Sequence, residues 1–379
     1  MKLKLLSHSA NDLFWFILPL VLPFLLERYS LSYTQAGGIL TVYLAVTAVF
    51  SVIMGKLSDR FSPRIILSGG LVLAGLGLGA SGFAPSLAVF LLLVSITAVG
   101  VSTFHPVMYA IIDRSYPENK GSVMGVYESF GTGAILIMFL VNGFLFKFIG
   151  LRGVMIITAA PALIMGMAIA LTRDPSYAPI PHAAGKETQA KADPKAVRRF
   201  VLFLVSIILR VLSVTAIINF MPTIFVRFFG FAESAAAYGT GLFFAGGIAG
   251  SLLGGKVSER FNPFGILMVA SLFITFTILG FNLPLPKPVY PLFVAALGLF
   301  GSGCIINQNL LMARLGGSLG KGEIFGILMG AMTMTSSIAP TILGFVIDQA
   351  GFRAAFYLFS IPIAASMAIL FYLRKTETP

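Results

Sequence analysis

Four ionisable side chains lie where the surrounding sequence is almost wholly apolar: Asp12, His105, Glu128 and Arg210. A charge near the centre of a bilayer costs roughly 2.5–3.5 kcal/mol on insertion scales, so each needs a partner or a task. A histidine beside a carboxylate changes charge near neutral pH, and the chemistry this pairing offers is proton transfer. Arginine cannot release its proton and must meet an anion. Asp12 lies about seven residues into the first apolar run, His105 about seven from the end of the fourth and Glu128 about seven into the fifth. At ~1.5 Å per helical residue, all three fall roughly 10 Å below the same membrane face. They are expected to form one titratable group, which either couples protons to transport or locks helices together by permanent hydrogen bonds. Arg210, midway along the seventh run, has three candidate partners: Asp12, Glu128 or an anionic group on a substrate.

Uncharged groups at similar depth extend the list. Asn11, Asn219, Asn307 and Gln308 offer directional hydrogen bonds without net charge, which suits a substrate wall or a helix-to-helix contact. Trp15, Tyr43 and Tyr127 could line an amphipathic pocket. His8 precedes Asp12 by one turn, so His8, Asp12, His105 and Glu128 offer a conceivable metal-ligand set. The spacing places His8 nearer the wet interface, however, and neither a metal nor a cofactor is expected.

The elements that must hold these residues follow from composition. The chain of 379 residues is 57% hydrophobic and 11% charged, against roughly 45–50% and about 25% in soluble domains. Apolar runs near the ~20 residues needed to span a bilayer recur with approximate cores at 6–27, 34–55, 65–83, 86–111, 122–146, 153–172, 199–224, 235–255, 265–282, 290–312, 323–347 and 354–373. The fold class expected is an all-α integral membrane protein of twelve transmembrane helices. With the N-terminus set in the cytoplasm, 19 Lys and Arg residues fall on that side and 6 on the other, with Arg210 inside a span. The positive-inside rule therefore accounts for the net charge of +12 without nucleic acid, and puts both termini in the cytoplasm. Polar Ser7, His8, Ser9, Asn11 and Asp12 interrupt the first run, which reads as a retained span rather than a signal peptide. Residues 173–198, with Pro175, Pro179, Pro181 and His182, read as a cytoplasmic linker between residues 1–172 and 199–379. The single Cys304 excludes an intrachain disulfide.

The two halves repeat each other. Gly55-Lys56-Leu57-Ser58-Asp59-Arg60-Phe61-Ser62-Pro63 returns as Gly255-Lys256-Val257-Ser258-Glu259-Arg260-Phe261-Asn262-Pro263, and Gly150-Leu151-Arg152 returns as Gly351-Phe352-Arg353. A period near 200 residues in an apolar chain means two homologous membrane halves, an architecture found in secondary transporters. The Gly55-x-Leu57-Ser58-Asp59-Arg60 loop after the second span resembles the signature of the major facilitator superfamily, roughly G-x-L-A/S-D-R-x-G-R-R/K. Ser62 and Pro63 depart from it, Arg64 fits its last basic position, and the second copy keeps an acid at Glu259 but has Phe264 at the end. Ser7-His8-x-x-Asn11-Asp12-Leu13, Ser30-Leu31-Ser32, Gln35-Ala36-Gly37 and Phe104-His105-Pro106 resemble the fosmidomycin-resistance type within that superfamily, with Val107 where an acid usually follows.

The resemblance implies two pseudo-symmetric six-helix bundles, spans one, four, seven and ten around a cavity, and spans two, five, eight and eleven at the seam. It places Asp12 and His105 on the cavity and Glu128 beside it. It also implies a gating latch at Gly55, Asp59, Arg60 and Arg64, with a second at Gly255, Glu259 and Arg260; a plain charge anchor is the alternative. Gly55 is expected to end its helix.

No G-x-x-x-x-G-K-S/T phosphate loop is present, so an ion gradient or the substrate itself must supply the energy. The reading is a secondary active transporter in the inner membrane, not an enzyme, in which the two halves rock about a midplane site. Protons, taken by Asp12, His105 and Glu128, would drive efflux of a small amphipathic or anionic compound. Asn11, Asp12, Trp15, His105, Tyr127, Arg210, Asn219, Asn307 and Gln308 would contact it. The alternative is uptake of an organic anion by proton symport. The partners expected are a small molecule, protons and lipid, with the protein a monomer.

Overall fold

In a bilayer core the backbone has no water to bond, and helices that satisfy themselves are the economical solution. The computed structural model describes residues 1–58, 61–116, 118, 120–177, 194–258, 260–315 and 321–376, and the regular structure among them is helical. Eleven α-helices follow in order: α1 (Lys2–Arg28), α2 (Tyr33–Ser58), α3 (Pro63–Ser81), α4 (Leu87–Ser102), α5 (Phe104–Ser115), α6 (Lys120–Leu171), α7 (Pro194–Thr223), α8 (Glu233–Ser258), α9 (Pro263–Gly280), α10 (Val289–Leu315) and α11 (Lys321–Lys375). A π-helical turn, Ile224–Phe228, extends α7. Ten described segments are long and apolar enough to cross a membrane.

α6 has 52 residues and α11 has 55, roughly 80 Å each at helical rise and far beyond a hydrocarbon core of about 30 Å. Each is broken once, at the glycine that the internal repeat aligns. Gly150 has φ 59 and ψ −169, and Gly351 has φ 78 and ψ 172. A β-carbon is essentially excluded from that region of backbone space, so the duplicated Gly-x-Arg tripeptide marks one duplicated turn. Gly351→Ala is expected to lower stability by about 1–3 kcal/mol, read as a drop in melting temperature. An unchanged melting temperature would show that the turn tolerates a side chain.

The fourth apolar run is one span, Leu87–Ile112, with a local break in its backbone hydrogen bonding: α4 ends at Ser102, Thr103 keeps helical dihedrals (φ −69, ψ −26) and α5 begins at Phe104. Pro106 explains this, because it has no N–H for the carbonyl four residues back at Ser102 and its ring crowds that carbonyl. His105 consequently sits in the first turn of α5. Gly55 does not end a helix but lies inside α2, and Gly255 likewise lies inside α8. Of the remaining latch residues, Asp59, Arg60 and Glu259 lie outside the described residues, as does His182 of the linker. Arg64 is half-buried in the first turn of α3, its Nε without an acceptor among the described residues. Arg260 is exposed.

The described residues group into two compact units. The first comprises Met1–Leu31, Gly38–Ala184 and Phe231–Tyr238; the second comprises Ser32–Gly37, Gly185–Gly230 and Gly239–Pro379. In the first, α1 and α3 pack along α6, and α3 also packs against α4. Lys4, buried in α1, pairs with Asp174 at 3.2 Å. Burial opposes ionisation of Asp174, but hydrogen bonds from Ser176 and Lys4 outweigh it and hold the carboxyl at about 2, so the pair persists at any physiological pH. In the second unit, α11 packs along α7 and α9, and α10 along α9. The start of α2 belongs here. Ser32 and Gln35 cap each other's backbone N–H reciprocally, which is a capping box. Asp348 accepts from Tyr33 N at 2.9 Å, Thr34 N at 2.7 Å and Thr34 Oγ1, an anion where the helix dipole favours one.

Candidate functional site

The helical spacing of α1 sets His8, Asn11, Asp12 and Trp15 on one face, because residues three and four apart are surface neighbours. The opposite edge of the same helix, with Leu6, Ser9, Ala10 and Leu13, faces an apolar cavity of about 650 Å³ against α6. A second apolar cavity, of about 530 Å³, lies among α8, α9 and α10 in the second unit. The residues expected to bind substrate line neither. In the first unit Asn11, Asp12, Trp15 and His105 gather in one polar cluster, and in the second Arg210 meets Gln308.

In the first unit Asp12 lies between two imidazoles. Its Oδ2 is 3.2 Å from His8 Nε2 and its Oδ1 is 3.3 Å from His105 Nε2. Asn11 Nδ2 donates to Asp12 Oδ1 at 3.4 Å. The other contacts of the rings settle their protonation geometry. His8 Nδ1 is 2.8 Å from the carbonyl oxygen of Tyr127, an atom that only accepts, so Nδ1 carries a proton. Trp15 Nε1, which only donates, points at His105 Nε2 at 3.2 Å, so that nitrogen presents its lone pair. Neutral imidazoles in these tautomers would both turn lone pairs toward a carboxylate, which also offers only lone pairs. A proton taken up by the group would relieve that opposition; His8 Nε2, buried beside Asp12, makes no hydrogen bond here.

His8 corrects an expectation. It is not at a wet interface but fully buried, its ring stacked on Tyr127 with centroids 3.7 Å apart. Glu128 is the opposite case. It is exposed, lies outside the ion-paired group, and accepts from the hydroxyl of Tyr109 at 2.8 Å. Tyr109 in turn lies against His105, ring centroids 5.5 Å apart, so Glu128 connects to the cluster through that ring. Tyr43, buried, donates to Phe14 O at 3.1 Å and ties α2 to α1 rather than lining a pocket.

His8, Asp12 and His105 place their ligand atoms within 4.8 Å of one another, a two-histidine, one-carboxylate set that could hold a cation. The lone pair of His105 that a metal would need already receives the Trp15 N–H. The donor set therefore suits a proton better than a metal ion.

Gly131 on α6 makes the cluster possible. A β-carbon there would overlap Asp12 Oδ2 and come within 2.6 Å of His8 Cε1. Gly131→Ala is expected to destabilise the first unit by about 1–3 kcal/mol through overpacking and to impair any function that needs Asp12 and His8 in register. Thermal unfolding alongside a transport assay checks this, and wild-type behaviour in both would mean that the close approach is incidental.

In the second unit Arg210 is 4% exposed and donates from Nη2 to Gln308 Oε1. Asn219 and Asn307, both buried, turn their amide nitrogens to their own helices, to Thr215 O at 2.8 Å and Gly303 O at 3.4 Å. Asn307 Oδ1 has no hydrogen-bond partner. Thr215 and Ser336 hydroxyls meet at 3.4 Å between α7 and α11.

Sequence reasoning named Asp12, His105 and Arg210 but underrated His8 and did not single out Tyr109 or Gly131. A signal existed for the first two: His8 precedes Asp12, and Tyr109 follows His105, by four residues. Nothing in the sequence distinguishes Gly131 from the other 39 glycines.

Long apolar helices in two units, with charges buried inside them, define a polytopic membrane protein. The family description Major Facilitator Superfamily matches residues 5–323, and the chain belongs to that superfamily. Among its relatives is the MFS-type transporter YfnC of Bacillus subtilis, itself uncharacterised, 24% identical over 359 residues that cover 89% of this chain and 87% of that one. The niacin transporter NiaP of Acinetobacter baylyi is 25% identical over 148 residues, 39% of this chain and 34% of its own. Among solved structures, a bacterial homologue of the human lysosomal transporter Spinster superposes with a TM-score of 0.79 at 17% identity, covering 99% of this chain and 96% of that one. The nucleoside transporter NupG does so with 0.79 at 13%, covering 100% and 99%. These likenesses establish the fold. The protein is a secondary transporter that moves a small molecule across a membrane, and not an enzyme.

Proposed function

We propose that the chain couples proton movement to the efflux of a small amphipathic or anionic compound by alternating access. The observation that supports this reading is Asp12 between the Nε2 atoms of His8 and His105, a buried carboxylate flanked by two groups able to carry a proton. A buried site whose neutrality depends on one proton is a site that a pH gradient can load and empty. Binding that favours one conformation when protonated and another when not shifts the equilibrium between them. The residues in α1 and α5 that resemble the fosmidomycin-resistance type support export.

The second reading is proton symport of an organic anion into the cell. The partial likeness to a niacin transporter favours it, niacin being a carboxylate, as does a buried arginine in the second unit. In both readings the chain has twelve spans, α6 and α11 each contributing two across Gly150 and Gly351. It works as a monomer in the inner membrane with both termini in the cytoplasm, and the Asp59–Arg60–Arg64 and Glu259–Arg260 loops act as conformational latches.

Proteoliposomes with an imposed pH gradient separate the readings. Flux of small organic anions and amphipathic compounds is followed in both directions for wild type, Asp12→Asn, Glu128→Gln and Arg210→Ala. Export requires flux out of the compartment that is cytoplasmic in orientation against inward proton movement, and symport requires flux with the protons. If the pH gradient drives neither, or drives all variants equally, proton coupling is wrong.

A further inference from the structure

Arg210 is a buried cation for which the described residues of the second unit provide no anion. Its Nη2 bonds to the neutral amide oxygen of Gln308, and its Nη1 is buried with no acceptor among the described residues. No carboxylate pairs with it among the described residues. Asp348, the one acidic side chain described in this unit, serves Tyr33 and Thr34. Along α11 it lies sixteen residues, roughly 24 Å, from Met332, which Gln308 touches. Gln308 Nε2 is itself spent on the thioether of Met332 at 3.5 Å, a weak acceptor. Two N–H donors, one of them charged, are thus without acceptors of matching strength in a dry interior. A guanidinium cannot neutralise itself by losing a proton, and an unpaired buried charge is costly. The natural complement is an oxyanion that arrives from outside the chain.

Charge and surroundings narrow its class. Arg210 is the one charged side chain among the described buried residues of the second unit. A monoanion cancels it, whereas a dianion such as a phosphate monoester would replace one uncompensated charge with another. The neighbouring helix faces carry Ile207, Cys304, Leu311 and Met332, apolar groups that favour an apolar body behind the anion. We propose that Arg210 is the receptor for the carboxylate of a small, singly charged, otherwise apolar organic acid. This rests on the transporter reading and gives it a substrate class. Nη1 is sealed from solvent, so the receptor is closed in this conformation and opens during the cycle.

The test is an equilibrium one, without a gradient. Thermal unfolding of the purified full-length chain is measured with benzoate and nicotinate, and with benzamide and nicotinamide as neutral matches. The carboxylates should raise the melting temperature of wild type saturably and the amides should not. Arg210→Gln should bind the carboxylates about 100-fold more weakly or not at all, and Arg210→Lys should fall between, since it keeps the charge and loses the fork. Without ligand, Arg210→Gln should melt at or above wild type, because it removes an unpaired charge. Equal responses to acids and amides, no response to any acid, a retained response in Arg210→Gln, or a ligand-free Arg210→Gln melting well below wild type would each overturn the proposal. Proton coupling is read separately, from flux driven by a pH gradient in wild type, so failure of the coupling reading and failure of anion recognition are distinguishable.

Discussion

Asp12→Asn is expected to abolish flux driven by a pH gradient while leaving substrate exchange, which needs no net proton movement, near wild type. The substitution is close to isosteric. An asparagine amide can donate to His8 Nε2, which sits 3.2 Å from Asp12 Oδ2, so the ring is satisfied without a proton and the helix contact survives. The change in stability should stay within about 1–1.5 kcal/mol, the net worth of an ordinary hydrogen bond, and the variant should purify as a folded protein. What is lost is the carboxylate that would take up the proton. If Asp12→Asn instead unfolds, the trio is structural. If it folds and still accumulates substrate along the gradient, the coupling proton resides elsewhere, and Glu128, reached through Tyr109, becomes the next candidate.

His8→Phe has the second-largest expected effect. Phenylalanine preserves the ring stacked 3.7 Å over Tyr127 and the volume of a fully buried site, so the packing cost should stay under about 1.5 kcal/mol. It removes both nitrogens. Asp12 then loses one of its two imidazole neighbours, while His105 remains. Coupling energies between linked sites are typically 1–3 kcal/mol, and pH-driven accumulation should accordingly fall roughly 5–150-fold, with binding measured at equilibrium unchanged. A ring that served only as packing would leave both measurements at wild-type values. The comparison with Asp12→Asn is informative in itself. Equal losses in the two single variants and in the double variant would show that His8 and Asp12 act as one proton-binding unit.

The legibility of this chain differs sharply between its levels. Spans are legible because the bilayer imposes length and apolarity on each stretch separately, without reference to any other. The repeat is legible for a similar reason: Gly150 and Gly351 each need a backbone conformation that only glycine tolerates, so both copies keep it. The break in backbone hydrogen bonding beside Thr103 was also within reach, since Pro106 acts through its own ring on the residue four back. The composition of the site is legible because charge in hydrocarbon is costly wherever it occurs, which singles out Asp12, His105 and Arg210 with no knowledge of the fold.

Pairing is another matter. Depth along a helix places Glu128 level with Asp12, yet it turns outward while His8, nearer the end of α1, turns in. Which face a residue presents depends on how α1 lies on α6, and that approach is set by Gly131, whose missing β-carbon matters only because Asp12 and His8 happen to rest against it. The tautomers of His8 and His105 are similarly invisible in sequence, being dictated by a carbonyl 119 residues away and an indole 90 residues away. Sequence alone thus determined that this is a duplicated, helical, membrane-spanning chain with a few buried charges, because hydrophobicity and backbone strain act locally. The tertiary structure decided which charges meet: it gave Asp12 two imidazoles and left Arg210 with a neutral amide. Hydrogen bonding and charge pairing act over a few ångströms between residues far apart in the chain, and only packing brings those residues together.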